Sequence, residues 1–297
     1  MRFLVTGHKG FAGSHLVEKL ESEGHDVVNN RGGDVDWKGL KGFFDLGAHT
    51  GIPESFNTPV KYFDNNAFQA VWRIERLVEK IPKCQFMYCS TSEVYGVTNQ
   101  VIYETTPLKP MNPYAVSKTA ADMYVQERTR NGFLNGFITR AFAHTGAGRP
   151  ANFSISSDAR QIARIILGKQ EPVIKVGNLE SKRVVMDVRD TVDVYYQLMM
   201  KRISGEMPNG EIYNICGSGE PVTIGSLLDI MLDKFDIKAE LVKDPALFRP
   251  IDIPVQYPNC DKVRAFLGWE PKIPIETTLV DLVNYWIERV QHEGVSS

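Results

Sequence analysis

Three observations predict an α/β chain built on a doubly wound parallel sheet, with a smaller, interleaved α/β lobe. Short apolar runs alternate with helical patterns through the first half of the chain. The opening strand runs directly into a glycine-spaced turn and an apolar helix. The second half mixes short strands with helices and Pro-rich joints, without a repeat or a clean linker. Strands alternating with helices demand a parallel sheet covered on both faces.

Taken in order, Arg2–Val5 reads as a buried strand, and Phe11–Leu20 as a helix with Leu16 and Leu20 four apart. Asp26–Val28 and Phe43–Leu46 read as the second and third strands. The Gly-rich stretch between them is too short for a further strand and helix. Tyr62–Ile81 reads as one long helix, with Val71, Ile74, Leu77 and Val78 on one face. Then come a strand at Gln85–Cys89, a helix at Pro113–Arg130 and a strand at Phe137–Arg140. Further helices are expected at Ser157–Leu167, Asp190–Met200, Ile224–Phe235 and Ile275–Val290. Residues 1–150 are expected to form a dinucleotide-binding domain. Residues 151–297 should form mainly a second lobe, with some segments returning to the first.

Composition removes other classes. The 34 Lys and Arg against 36 Asp and Glu give a net charge of −2, which disfavours nucleic-acid binding and a polybasic membrane surface. No apolar run approaches the roughly 18 residues of a membrane span. Met1–Gly7 already reads as strand and turn, unlike a secretory signal, so a cytoplasmic protein is expected. The four cysteines, Cys84, Cys89, Cys216 and Cys260, show no metal spacing and read as reduced, buried side chains. No metal site is expected.

The turn Gly7-His8-Lys9-Gly10-Phe11-Ala12-Gly13 lies between strand and helix. Glycines there serve the tight turn, the close approach to a pyrophosphate and the helix-to-strand packing. The free N–H groups of the helix start, at Phe11 and Ala12, favour anions. Near the end of the second strand no carboxylate occurs before Asp34, whereas Arg31 and Lys9 can face a ribose 2′-phosphate. NADP(H) is therefore favoured over NAD(H).

Asn112 is a good N-cap and Pro113 suits the first helical position. Tyr114 and Lys118 then lie one turn apart on one helix face. An ammonium near the phenol favours phenolate, which suits proton exchange with a sugar hydroxyl or ketone during hydride transfer. Thr91, at a strand's carboxyl end, falls in the ligand crevice of a doubly wound sheet. Two residues on, Glu93 supplies a carboxylate suited to proton abstraction beside a transient ketone.

The glycine spacing, together with the Tyr114–Lys118 pair, resembles the extended, nucleotide-sugar-modifying branch of the short-chain dehydrogenase/reductase superfamily. The resemblance implies a Rossmann-type fold. It also implies cofactor contacts at Gly47, Ala48 and Asn66 besides the turn, Tyr114 and Lys118. Gly7-His8-Lys9-Gly10 resembles the turn of NADPH-using GDP-fucose synthases. Ser90–Gly96 resembles sugar-nucleotide 4,6-dehydratases and UDP-glucuronate decarboxylases, which implies a C5 base at Glu93. Reductases of the same branch also carry a glutamate there, so the reaction stays open at this point.

Thr139–Gly148, Ser156–Ala163, Glu171–Glu180, Asp187–Asp190, Arg249–Pro254 and Gly268–Pro271 are similar to GDP-4-keto-6-deoxymannose reductases. This implies substrate contacts at Ser92, His144, Arg183 and Arg249, with the two arginines on a diphosphate. The implied partner is a nucleotide-diphosphate sugar, a GDP-sugar by preference, and the implied assembly is a homodimer through Tyr62–Ile81 and Pro113–Arg130. The expected reaction is reduction of the C4 ketone of GDP-4-keto-6-deoxy-mannose. A 4,6-dehydratase is the alternative, ahead of an epimerase or decarboxylase. A binding module that holds NADP without chemistry is disfavoured because Tyr114 and Lys118 are both present.

Overall fold

The computed structural model describes residues 1–29 and 35–293. Six strands form one parallel sheet in the order Ile212–Ile215, Gly136–Ala141, Gln85–Thr91, Leu40–Asp45, Arg2–Thr6, Asp26–Asn29. From Arg2–Thr6 the chain steps to Asp26–Asn29 on one side, then crosses to Leu40–Asp45 on the other. That reversal opens a crevice beyond the carboxyl ends of the first and third strands, where such sheets receive ligands. The doubly wound, Rossmann-type sheet is thus formed as expected. Its last strand comes from the second half of the sequence.

The four inner strands are largely buried on both faces, as strands inside a parallel sheet must be. Successive side chains alternate between two cores. Phe3, Val5, Phe44, Met87 and Phe137 pack with Leu16, Leu20, Val194, Leu198 and Met199 of the Phe11–Ser22 and Val188–Ile203 helices. On the opposite face Leu4, Phe43, Phe86 and Ile138 pack with Ile74, Leu77, Ala121 and Val125 of Gln69–Lys80 and Pro113–Arg130. The second lobe has its own core, in which Ile162, Leu227, Leu228, Leu282 and Val283 join helices Ser154–Ile166, Ile224–Lys234 and Ile275–Gln291.

Three expectations are corrected. The third strand begins at Leu40, because Gly42 continues it: a Cβ there would lie 2.8 Å from Met199 Sδ and 2.9 Å from the Phe3 ring. Tyr62–Ile81 is not one regular helix. Pro59–Phe63 leads into a widened π turn at Asp64–Phe68 before Gln69–Lys80. Buried Asn66 sits in that wide turn, and such bulges recur at functional sites.

The third correction concerns sulfur. Cys216 and Cys260 form a disulfide, while Cys84 and Cys89 are free. Cys216 follows the last sheet strand and Cys260 precedes the Asp261–Leu267 helix that packs on that strand. Folding brings their Cα atoms to 6.1 Å across 44 residues of sequence. No described helix is long and apolar enough to cross a membrane.

Candidate active site

The glycine turn is a cradle from which side chains are excluded. Gly7 has φ +68°, and a Cβ on it would lie 2.9 Å from the Leu46 carbonyl group. A Cβ on Gly13 would stand 2.0 Å from Gly7 O, so helix and turn are in backbone contact. Gly10 donates from its N–H to Gly7 O at 2.8 Å. Phe11 and Ala12 open the helix, directing its N-terminal N–H groups at the crevice. The turn, Gly47, Asn65 and Arg73 line a cavity of about 280 Å³. Such a cradle fits a dinucleotide diphosphate.

Asp45, at the end of the third strand, holds this corner. It accepts from the Thr6 hydroxyl at 2.5 Å and pairs with Arg73 Nε at 3.0 Å. Thr6 Oγ1 in turn accepts from the Gly47 N–H at 3.1 Å, and Ala48 follows half-buried. Lys9 is exposed at the cavity rim. Arg31 lies outside the described residues. Arg73 and Asn65 escaped the sequence reading, because their helix reads as ordinary amphipathic surface.

Asn112 does two jobs at once. Its Oδ1 accepts from the Ala115 N–H at 2.8 Å and caps the helix, while its Nδ2 donates to Glu93 Oε2 at 3.1 Å. Tyr114 and Lys118 are both buried on the capped helix. Thr91 ends its strand, caps the short Ser92–Tyr95 turn by accepting from the Glu93 N–H at 3.3 Å, and hydrogen-bonds the Tyr114 phenol. The turn closes at Gly96, φ +67°, where a Cβ would collide with Lys109 O at 2.0 Å. Thr91, Glu93 and Tyr114 therefore share one neighbourhood.

The electrostatics differ from the simple Tyr–Lys expectation. Burial pushes the Tyr114 phenol well above its ordinary pKa; the Thr91 hydrogen bond and the Arg149 charge pull it back, and Cys89 and Glu93 push it further up. The cation opposing that rise is Arg149. Lys118 instead donates to Cys89 O at 2.7 Å and lies 4.2 Å from the Tyr88 ring centre, because its long stem reaches the strand end. Its own pKa is lowered, chiefly by burial.

Asn66 is fully used by the protein. Its Oδ1 accepts from the His49 N–H and from Asn65, and its Nδ2 donates to His49 O and Ser117 Oγ. It ties the loop after the third strand to the Tyr114 helix.

The carboxyl side of the crevice meets the second lobe. Arg183 and Arg249 approach the same carboxylate oxygen, Asp252 Oδ1, at 3.7 and 4.0 Å. Asp252 Oδ2 accepts from Asn178 and Ser181. Glu93 faces this group: burial raises its pKa, and Arg249 and Arg183 partly offset the rise. Buried Ser92 donates to Gln256 at 3.4 Å. His144 stacks on Phe11 at 5.9 Å and hydrogen-bonds Phe142 O, with its pKa lowered to about 4 by burial and by Arg149. A neutral, packed imidazole lines the site. Asp252 and Arg149 were missed; a lone aspartate or arginine in a loop carries no sequence signal.

Behind the site, buried Arg140 makes a bidentate pair with Asp122 at 3.0 and 2.9 Å. It also donates to the Tyr95 hydroxyl, which donates to Asn214. This network joins two sheet strands and the Pro113–Arg130 helix to the Ser92–Tyr95 turn.

Comparison with known proteins agrees with this geometry. The family model described as GDP-mannose 4,6 dehydratase matches residues 40–282. The chain belongs to that family. The NAD dependent epimerase/dehydratase family model matches residues 3–32, which carry the glycine turn. This member of the GDP-mannose 4,6-dehydratase family is thus an NAD(P)-linked enzyme of the extended short-chain dehydrogenase/reductase type. A GDP-6-deoxy-D-mannose reductase of Pseudomonas aeruginosa is 30% identical, over 98% of this chain and 99% of its own. A GDP-mannose 4,6-dehydratase of Yersinia enterocolitica is 27% identical, over 81% of this chain and 71% of its own. The structure of RMD from Pseudomonas aeruginosa, complexed with NADPH, superposes with a TM-score of 0.87 at 28% identity, covering 97% and 99% of the two chains.

Proposed function

We propose that this protein reduces the C4 ketone of a GDP-bound 4-keto-6-deoxy-mannose with NADPH. The observation that carries the reading is the end-to-end match to a GDP-6-deoxy-D-mannose reductase, which covers 98% of this chain and 99% of that one. The dehydratase relative is matched over only 71% of its length. Lys9 at the cavity rim and Arg31 favour the 2′-phosphate of NADP(H) over NAD(H).

When bound, the nicotinamide supplies hydride to C4. Tyr114 gives its proton to the oxygen that becomes the hydroxyl, and Thr91 donates to the same oxygen. Lys118 braces the helix against the Cys89 carbonyl and would hold the cofactor ribose. Arg183 and Arg249, gathered on Asp252, hold the sugar diphosphate. In this reading residues 1–150 bind the dinucleotide and 151–297 mainly the sugar nucleotide, with His144 and Ser92 on its border. The assembly is a cytoplasmic homodimer. Val60, Phe68, Trp72, Val116 and Met123, exposed on the Pro59–Lys80 and Pro113–Arg130 segments, support pairing through that face.

A second reading, GDP-mannose 4,6-dehydratase, is favoured by half-buried Glu93 beside Tyr114. Mass spectrometry of a panel of nucleotide sugars, with and without NADPH, decides between them. A reductase consumes NADPH in proportion to product. Conversion of GDP-mannose with no added reductant overturns the reductase reading.

A further inference from the structure

Gln256 is a buried amide with no part in the reduction itself. It is 2% exposed, and its Oε1 accepts from the Ser92 hydroxyl at 3.4 Å. Its Nε2 is buried as well and has no acceptor among the described residues. Donors enclosed in this way are almost always paired, because an unpaired one has given up its water for nothing. An apolar side chain of similar size would pack there at lower cost.

The position of the amide gives its free end a use. Residues 249–258 form an arm. At its start Arg249 and Asp252 meet Arg183. Val255 then pairs with Lys182, whose N–H donates to Pro254 O at 2.8 Å, so the arm is clipped beside Arg183. At its end Tyr257 and Pro258 pair with Val101 and Ile102, a few residues beyond the Ser92–Tyr95 turn. Gln256 lies between these two clips and touches Ser92, the residue between Thr91 and Glu93. A hexose whose diphosphate rests on the arginine pair, and whose C4 reaches the Tyr114 phenol, has to cross this stretch.

We propose that Gln256 is a sugar-binding residue, whose unengaged Nε2 donates to a hydroxyl or carbonyl oxygen of the hexose while Ser92 holds the other atom of the amide. The terminal torsion of glutamine is soft, so a modest rotation turns the donor toward a bound ring. A neutral donor suits an uncharged, oxygen-rich ring, and a site built to hydrogen-bond a substrate oxygen discriminates against ligands that lack it. This inference rests on the reading of the cleft as a GDP-hexose site and assigns recognition of the sugar to the arm.

Binding without turnover tests it. Calorimetric titrations measure GDP and, separately, GDP-mannose against the intact wild-type chain, Gln256→Leu and Gln256→Met, with melting temperatures recorded alongside. Both variants keep an apolar side chain of similar size and lose the donor. The expected result is a loss of about 3- to 10-fold in affinity for GDP-mannose, with GDP held within twofold of wild type. A loss that strikes GDP and GDP-mannose equally overturns the proposal, because GDP carries no hexose and the residue then serves the nucleotide or the fold. Unchanged affinity for both ligands also overturns it, and leaves the reductase reading standing. A wild-type chain that binds neither ligand overturns both. Should Gln256→Leu not fold, Gln256→Met, unbranched like glutamine, decides alone by the same comparison.

Discussion

The Lys118 ammonium donates to the Cys89 carbonyl at 2.7 Å, pinning the Tyr114 helix to the end of the strand that carries Thr91. Lys118→Met leaves that carbonyl without its charged donor, in a site where both residues are enclosed. The expected cost is about 1–3 kcal/mol, read as a lower urea midpoint, together with lost turnover. Tyr114→Phe removes only the proton donor, so it should lower turnover about 100- to 10,000-fold with little change in the urea midpoint. Equal stability of Lys118→Met and wild type would show that the lysine does not brace the strand.

Glu93 gives a prediction with two readouts. Its pKa is raised, chiefly by burial. For an acid raised on folding, the stabilising contribution is complete below the unfolded pKa and is lost as pH rises through the folded one. Glu93→Gln cannot ionise, so its stability should gain on wild type as pH rises from 4 toward neutrality, by thermal melts. Its chemistry should separate the two functional readings. Ketone reduction should persist at reduced rate, whereas any dehydration of GDP-mannose should disappear. Dehydration by intact Glu93→Gln would remove the C5-base role.

His144 titrates in the opposite sense. Burial and Arg149 lower its pKa from 6.5 to about 4. The unfolded chain therefore binds this proton first, and stability falls as pH drops from about 6.5 to 4. His144→Asn lacks the titration and should flatten the decline in melting temperature over that window. Parallel wild-type and variant curves there would mean that the imidazole is already solvated in the folded state.

What could be read beforehand was local. The glycine turn, the Asn112 cap and the Tyr114–Lys118 spacing are short-range patterns, and the backbone realises them directly. The alternating buried strands were legible for the same reason. What was hidden depends on contacts distant in sequence. Lys118 reaches Cys89 rather than acting as the principal cation on Tyr114, because side-chain reach is not contained in an i, i+4 pattern. The π turn at Asp64–Phe68 answers to Asn66, whose partners His49 and Ser117 come from other elements. Arg149 reads as loop charge until Phe11, 138 positions earlier, is brought beside it.

The Cys216–Cys260 bridge ties the last sheet strand to the Asp261–Leu267 helix. Closing 44 residues restricts the unfolded chain, and the chain-entropy relation sets the gain at about 4 kcal/mol at most. Cys216→Ser/Cys260→Ser, or wild type under reductant, should unfold at lower urea with an unchanged active site, since neither sulfur lies among the site residues. Thiol titration of the native chain should find two reactive groups after denaturation, from Cys84 and Cys89. Four would show the pair reduced in solution.

The exposed apolar face gives the last prediction. Phe68 and Trp72, 68% and 55% exposed, are four residues apart, across the passage from the π turn into the Gln69–Lys80 helix. Val116 and Met123 are seven apart on Pro113–Arg130, two turns along one face. Apolar side chains this large, gathered on neighbouring helices, cost solubility unless a second surface covers them. A copy of the same chain offers the same stripe, and a two-fold arrangement makes it self-complementary. Trp72→Glu sets two like charges close together across such a contact, and each loses its water. Light scattering should therefore find wild type as a dimer and Trp72→Glu as a monomer at micromolar concentration. Because Trp72 lies outside the cleft, NADPH affinity should stay within a fewfold of wild type. A Trp72→Glu chain that remains dimeric would move the contact to another face, whereas a monomeric wild type would leave the stripe uncovered and end the dimer reading.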